Sequence, residues 1–332
     1  MGFSIGIVGK PSCGKTSFTN AACMTDFKVG SYPFTTIDAN VGVAHVRSQC
    51  ACEDFDVEDN PQNSLCIEGT RLIPVKLIDV AGLVPGAHEG RGMGNQFLDD
   101  LSQADVLIHI VDASGSLDSE GQEIDAGSYD PVNDVEFLES EITQWMLGIV
   151  TKDWKRITSK ARSEGAKLED LLLKKLSGLQ ITRGHILKAI RDTGLSAQEA
   201  YKWSEEDILQ FVRQLRVISK PIIIAANKID KRGAEEHLGR LRDAYPDQMV
   251  VPVSALAEKI LRDLEKKGII SYIPGDEDFN IIDSDKLAPG EITQLEKIKS
   301  DILQKFEGTG VQSILNKAVF DFLNMISVYP VH

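Results

Sequence analysis

Apolar residues recur along this chain in two rhythms. Short runs rich in β-branched residues read as strands bounded by polar turns: Ser4–Val8, Val41–Val46, Ile73–Ile78, Val106–Val111, Pro221–Ala226 and Met249–Val253. Elsewhere apolar residues fall three and four apart, the spacing that gives a helix one buried face. Strand and helix alternate, which predicts an α/β fold with a doubly wound, mostly parallel sheet flanked by helices. Residues 50–70, with their Asn, Pro and Gly, read as a hairpin excursion between the second and third strands.

The interval from Asp112 to Lys220 is too long for one crossover. After a polar stretch at 114–134, Val135, Leu138, Ile142, Trp145, Met146 and Ile149 keep helical spacing, continued by Leu168, Leu171, Leu172 and Leu176. Ser196-Ala197-Gln198-Glu199 and Ser204-Glu205-Glu206-Asp207 carry helix-start signals. Residues 135–215 are therefore read as an inserted α-helical module, within a core unit made of 1–134 and 216–332. Trp145, Trp154 and Trp203 are expected to fill the module's core. Beyond 284, Ile292, Leu295, Ile298, Ile302 and Phe306 share one helical face, and Ile314, Val319, Phe320 and Leu323 suggest a last helix against the sheet.

The first strand runs into Gly9-Lys10-Pro11-Ser12-Cys13-Gly14-Lys15-Thr16, a complete G-x-x-x-x-G-K-[ST] phosphate loop followed by Ser17. Gly9 and Gly14 let the backbone curl so that successive N–H groups face phosphate oxygens, and the positive end of the next helix adds to the field. Lys15 is placed to reach the β and γ phosphates and Thr16 to ligate Mg²⁺. After the strand at 221–226 comes Asn227-Lys228-Ile229-Asp230, the N-K-x-D pattern with which P-loop GTPases read guanine. A carboxylate at Asp230 can accept from the guanine N1–H and amine; adenine offers no such pair, so a polar site discriminates strongly. The Lys228 stem is expected to cover one face of the base, and Asn227 to tie this loop to the phosphate loop. About 25 residues later Ser254-Ala255, followed by Leu256, would put the Ala255 N–H under guanine O6.

On the metal side, Asp79-Val80-Ala81-Gly82 closes the third strand. Asp79 is expected to hold Mg²⁺ through water and the Gly82 N–H to sense the γ phosphate. Tyr32-Pro33-Phe34-Thr35-Thr36-Ile37-Asp38 is the candidate first switch, with Thr36 favoured over Thr35 as Mg²⁺ ligand in the triphosphate state.

The segments Tyr32–Ile37 and Asp79–Ala87, continuing through Gly90-Arg91-Gly92-Met93-Gly94-Asn95-Gln96-Phe97-Leu98, resemble the Obg-like GTPases, and within them the YchF-related branch. The resemblance covers most of the chain outside 139–215. It implies a translation-associated GTPase or ATPase that contacts ribosomes or ribosomal RNA. Many YchF proteins have a degenerate base-reading motif and prefer ATP; Asn227-Lys228-Ile229-Asp230 is intact here, which points to GTP and GDP. Potassium-stimulated relatives carry Asn where this chain has Ser12. Leu83 follows Gly82 where Ras-like proteins have a water-orienting glutamine, and it makes no hydrogen bond to water, so slow turnover is expected. His88 and Arg91 lie nearby as other polar candidates. Relatives continue after Ser327–His332 into a TGS module, so the apolar end is read as a truncation. An ATP-preferring NTPase and a nucleotide-regulated binding module with negligible turnover remain the alternatives.

Composition limits the partners. Of 332 residues 26% are charged and 42% apolar, with a formal net charge of −14. That acidity opposes non-specific binding to nucleic acid, and no DNA partner is expected. An RNA contact would need a local basic patch, for which the module offers Lys152, Lys155, Arg156, Lys160, Arg162, Lys167, Lys174, Lys175, Arg183, Lys188 and Arg191. No apolar run reaches the roughly 18 residues of a membrane span, and the chain begins directly in a strand, so the cytoplasm is the expected location. Five cysteines fit a reducing compartment. Cys50, Cys52 and Cys66 would form a zinc site only with a fourth ligand, His45 or Asp56 being the candidates; without one they are read as unliganded thiols.

Overall fold

A computed structural model of the chain describes residues 3–23, 41–55, 57, 59–61, 64–80 and 100–329. Its central sheet has the order β2-β4-β1-β5-β6-β7, with β3 also paired to β4. The strands are β1 (Ser4–Val8), β2 (Val41–Gln49), β3 (Leu65–Ile67), β4 (Thr70–Asp79), β5 (Val106–Asp112), β6 (Ile222–Asn227) and β7 (Val250–Pro252). β4, β1, β5, β6 and β7 are parallel; β2 and β3 run antiparallel to β4. The sheet is thus the mostly parallel, helix-flanked arrangement of P-loop NTPases. β1 and β5 are buried along their whole length, as the uninterrupted apolar runs require of strands covered on both faces.

β2 and β4 are longer than their apolar runs, because strand pairing carries past the last apolar residue. Their register runs from Val41↔Ile78 to Gln49↔Thr70. The excursion at 50–70 contains a short helix, α2 (Cys52–Phe55), then the β3–β4 hairpin. Glu68 (φ 46°) and Gly69 (φ 72°) form its two-residue turn, both in the left-handed region that fits strand twist.

One face of the sheet carries α1 (Lys15–Ala22) and the C-terminal helix α11 (Val311–Asn316); Phe18, Ile314 and Val319 pack there on Ile5, Ile7, Leu77 and Ile108. The five-residue step from Ile314 to Val319 is absorbed by a π-helical turn at Lys317–Phe322, which leaves both side chains buried. Between β5 and β6 lie α3 (Val132–Thr151), α4 (Trp154–Glu164), α5 (Leu168–Leu176), α6 (Arg183–Thr193) and α7 (Glu205–Ser219). The outer two extend beyond 135–215 because both lie on the sheet: Leu138, Ile142, Phe211 and Leu215 share one core with Val8, Leu107 and Ile222. Trp154 and Trp203 meet with centroids 5.4 Å apart, and Trp203 is equally close to Phe211. Ser204 forms a capping box with Asp207 at the start of α7.

After β6 come α8 (Ala234–Ala244), β7 and α9 (Ala255–Lys266). A two-residue hairpin, β8 (Ile270–Ser271) with β9 (Asn280–Ile281), and α10 (Pro289–Ile298) close a small separate core around Leu261, Tyr272, Leu295 and Ile302.

Candidate nucleotide site

β1 lies between β4 and β5, so the loop leaving it opens at the C-terminal edge of the sheet, where open α/β folds bind ligands. Gly9 (φ 153°) and Gly14 (φ 104°) have backbone angles that disfavour a side chain, and Ser12 is also left-handed at φ 61°. A Cβ on Gly9 would stand 2.5 Å from the Ile110 carbonyl oxygen; one on Gly14 would stand 2.3 Å from Asn227 Nδ2. Both glycines are needed for close approach as well as for the turn. Phe18 N–H donates to Gly14 O at 2.9 Å, starting α1 beneath the loop. Lys15 lies back across the loop, its Nζ donating to Gly9 O (2.8 Å) and Lys10 O (2.9 Å). Thr16, Pro11 and Ser12 are exposed and Ser17 is half-buried. The Cys13 side chain is buried, and burial pushes its thiol up to about 11, so it packs the loop's underside as a neutral group.

The underside also rests on residues that the motif does not name. Lys10 Nζ is 2.9 Å from an Asp134 carboxylate oxygen, donates to Leu117 O at 3.1 Å and lies 3.9 Å from the Tyr129 ring centroid. Gly121 (φ 82°) leaves room for the Pro11 carbonyl, which a Cβ there would approach to 2.5 Å. The polar stretch at 114–134 is thus a buttress for the phosphate loop. Sequence patterning gave no sign of it, because Lys10 and its partners are more than a hundred residues apart.

The base-reading residues arrive from the ends of β6 and β7. Asn227 is buried and bridges two loops: Nδ2 donates to Cys13 O (2.9 Å), and Oδ1 accepts from Ala255 N–H (3.1 Å). Lys228 has φ 61°, and its Nζ donates to Asp112 Oδ2 at 3.0 Å. Burial opposes charge on Asp112, but hydrogen bonds from Ser114 and Ser116 together with the Lys228 ammonium hold its carboxyl below the usual range. Asp230 Oδ1 accepts from Ser254 Oγ at 2.8 Å. Ser254 is itself fully buried, caps α9 through the Ala257 N–H (3.3 Å) and donates its own N–H to Thr309 O (2.9 Å). Leu256, next to this pair, is 49% exposed.

Asp79 ends β4 in register with Ile7 of β1, which sets it beside the phosphate loop. Burial raises its carboxyl pKa, opposed by the Lys15 charge and reinforced by Asp100. Thr36 and Gly82, with Leu83, His88 and Arg91, lie outside the described residues.

A phosphate-bearing ligand fits this arrangement on three counts. The loop is curled by glycines that bring its backbone against Ile110 and Asn227 with no room for a side chain, the Lys15 ammonium lies on the loop carbonyls of Gly9 and Lys10, and α1 begins below it. The hydroxyl and carboxylate oxygens of Thr16 and Asp79 are hard donors, suited to Mg²⁺ rather than to a thiophilic metal.

Comparison with known proteins extends this picture. Residues 225–332 match the family described as Obg-like GTPase YGR210-like, G4 motif-containing domain, and residues 4–138 match that described as 50S ribosome-binding GTPase. A GTP-binding protein of Methanocaldococcus jannaschii is 49% identical over 327 residues, covering 98% of this chain and 81% of that one. The crystal structure of a GTP-binding protein from Pyrococcus horikoshii superposes with a TM-score of 0.78 at 37% identity, over 99% of this chain and 81% of that one. The ribosome-binding ATPase YchF of Haemophilus influenzae is 28% identical over 284 residues, 82% of this chain and 70% of that protein.

Proposed function

The chain belongs to the Obg-like, YchF-related family of GTPases, and from that premise we propose that it is a Mg²⁺-dependent switch that binds and hydrolyses GTP. Residues 1–134 and 216–332 form the nucleotide unit, and 135–215 the helical module. Lys15 turns from its own loop carbonyls to the β and γ phosphates, exchanging two neutral acceptors for charged ones. Thr16 and Asp79 would hold Mg²⁺, joined by Thr36 in the triphosphate state, and the ion would supply charge neutralisation at the phosphate oxygens. The Gly82 N–H senses the γ phosphate. Lys228 covers the base, Asp230 reads its N1–H and amine, and Ser254, Ala255 and Leu256 line the far side. Leu83 supplies no hydrogen bond to the attacking water, so intrinsic turnover is slow.

The observation that carries this reading is the Asn227 bridge. One buried amide joins the phosphate loop at Cys13 to the base-side loop at Ala255, so the two half-sites are held as one. Single-turnover conversion of GTP by the wild type and Lys15→Ala tests it. A slow wild-type rate that Lys15→Ala abolishes supports a GTPase; equal rates in both would refute it.

An ATP-preferring reading draws on the Haemophilus relative's name. The Asp230 carboxylate, oriented by Ser254, favours guanine. The names of that relative and of the family matched at 4–138 also motivate the proposed partner, the ribosome or its RNA. We place the contact on α4–α6, in the cytoplasm. Several candidate cations there are already paired, Lys175 with Asp153, Arg183 with Glu169 and Asp170, and Lys160 with Glu164. Lys155, Lys167, Lys174 and Lys188 are exposed, as is Lys152 just before α4, and these are the cations left for the contact. No helix among the described residues is long and apolar enough to cross a membrane. Co-sedimentation with ribosomes in GTP against GDP tests the partner; equal pelleting in both, or none, would contradict a switch acting there.

A further inference from the structure

We propose that Cys50, Cys52, Asp59 and Cys66 form a structural zinc site at the end of the β2–β4 sheet edge. These residues come from four places, the end of β2, the start of α2, the loop after it and the middle of β3, yet their ligand atoms all lie within 4.8 Å of one another. Packing alone does not require three thiols and a carboxylate to point at one spot.

The spacing suits a metal. Cys52 Sγ and Cys66 Sγ are 3.7 Å apart; a tetrahedral zinc with Zn–S bonds of about 2.3 Å sets its sulfurs about 3.75 Å apart. Cys50 Sγ donates to Asp59 Oδ2 at 2.9 Å. With Zn–O of about 2.0 Å the corresponding edge is about 3.5 Å, so loss of the thiol proton and a retreat of about 0.6 Å bring this edge to tetrahedral length, and the other ligand atoms lie within 4.8 Å. The sequence pointed to His45 or Asp56 as fourth ligand. His45 is not in the cluster and Asp56 lies outside the described residues; Asp59, beyond the end of α2, is the fourth member instead.

Charge and surroundings agree. Three thiolates and a carboxylate leave Zn²⁺ at −2, and Arg71 offsets part of this, its guanidinium hydrogen-bonding Asp59 and donating to Cys50 Sγ at 3.4 Å. Arg71 also donates to Ser64 Oγ at 2.7 Å, so it holds the ligand carboxylate from outside, the role such partners play at metal centres. Thiolate ligands select zinc over Mg²⁺ or Ca²⁺. Four protein ligands leave no open position, so the site is structural. It would fix the seat of the C-terminal segment: the Arg71 guanidinium lies 5.2 Å from the Tyr329 ring centroid, and Tyr329 OH donates to Gln49 O at 2.7 Å.

The test is metal analysis of the full chain purified under reducing conditions, then Co²⁺ titration after chelation. A single zinc per chain, and cobalt spectra with thiolate charge transfer and intense tetrahedral bands displaced by Zn²⁺, are expected. Cys66→Ser should abolish the bands, Asp59→Asn weaken Zn²⁺ binding at least about tenfold, and Cys23→Ser, outside the cluster, leave both unchanged. Cys52→Ser, at a half-buried position, gives a second reading should Cys66→Ser fail to fold. Absence of stoichiometric zinc together with absence of thiolate–cobalt bands in the wild type would overturn the proposal, as would a Cys52–Cys66 disulfide or equal cobalt binding by wild type and Cys52→Ser.

Discussion

Replacing Asp230 by Asn should invert the base preference, and the structure says which way the new amide will face. Ser254 Oγ is buried and already accepts the Ala257 N–H, so its hydroxyl proton is directed to Oδ1 of residue 230. An asparagine must put its carbonyl oxygen there, which turns its NH₂ outward to where guanine presents N1–H and its amine. Two hydrogen bonds to a charged acceptor, each about 1.5–3 kcal/mol, give way to donors facing a donor. The carboxylate is 20% exposed, so the lower end of that range applies. A loss of about 3–5 kcal/mol corresponds to a fall in GDP affinity between about a hundredfold and a few thousandfold. Xanthine carries a carbonyl where guanine has its amine, so Asp230→Asn should bind xanthosine diphosphate more tightly than GDP. Calorimetric titration of both proteins with GDP, xanthosine diphosphate and ADP in Mg²⁺ reads this, with urea unfolding as a check on the fold. If Asp230→Asn keeps GDP affinity within about threefold of wild type while folding normally, Asp230 does not read the base.

Gly14→Ala places a methyl 2.3 Å from Asn227 Nδ2 at φ 104°; GDP affinity measured by calorimetry should drop at least about tenfold, roughly 1.4 kcal/mol, and unchanged affinity would contradict the close approach. Lys10→Met strands the buried Asp134 carboxylate and should cost about 3–5 kcal/mol in denaturant unfolding, most of it regained in Lys10→Met/Asp134→Leu; a neutral single variant would show that the buttress bears no load. Stability should decline with acidity, because burial depresses His109 from 6.5 to about 3 and His45 to about 4. The unfolded chain then takes up protons that the native chain refuses. Each histidine therefore contributes stability that is fully present above pH 6.5 and is lost at about 1.4 kcal/mol per pH unit as pH falls towards the folded value. Urea unfolding at pH 7.5 and 5.5 should show this for the wild type and roughly half of it for His109→Gln; equal slopes would place the dependence elsewhere.

The parts legible in the sequence are those whose chemistry is local. Ser4–Val8 feeding Gly9–Thr16 places the phosphate loop because glycine alone readily accepts the angles at Gly9 and Gly14, and the uninterrupted apolar run at 221–226 places Asn227 at the end of a strand buried on both faces. Parts resting on long-range partners were not legible. Lys10 reads as one residue of a motif until Asp134, Leu117 and Tyr129 are brought to it, and Asp112 as a strand end until Lys228 arrives. The π turn after Asn316 breaks the helical period that pattern reading assumes. β8 and β9, of two residues each, are too short to show alternation. The lysines of the helical module looked like a patch because spacing does not reveal that Asp153, Glu169 and Asp170 sit among them.

The most direct test of the account is a calorimetric titration of the wild-type chain with GDP and with ADP, both in Mg²⁺. Saturable, stoichiometric binding of GDP, at least about a hundredfold tighter than ADP, is the predicted result. Tighter binding of ADP, or of neither, would contradict the convergence of residues 9–16, 227–230 and 254–256 on one guanine nucleotide.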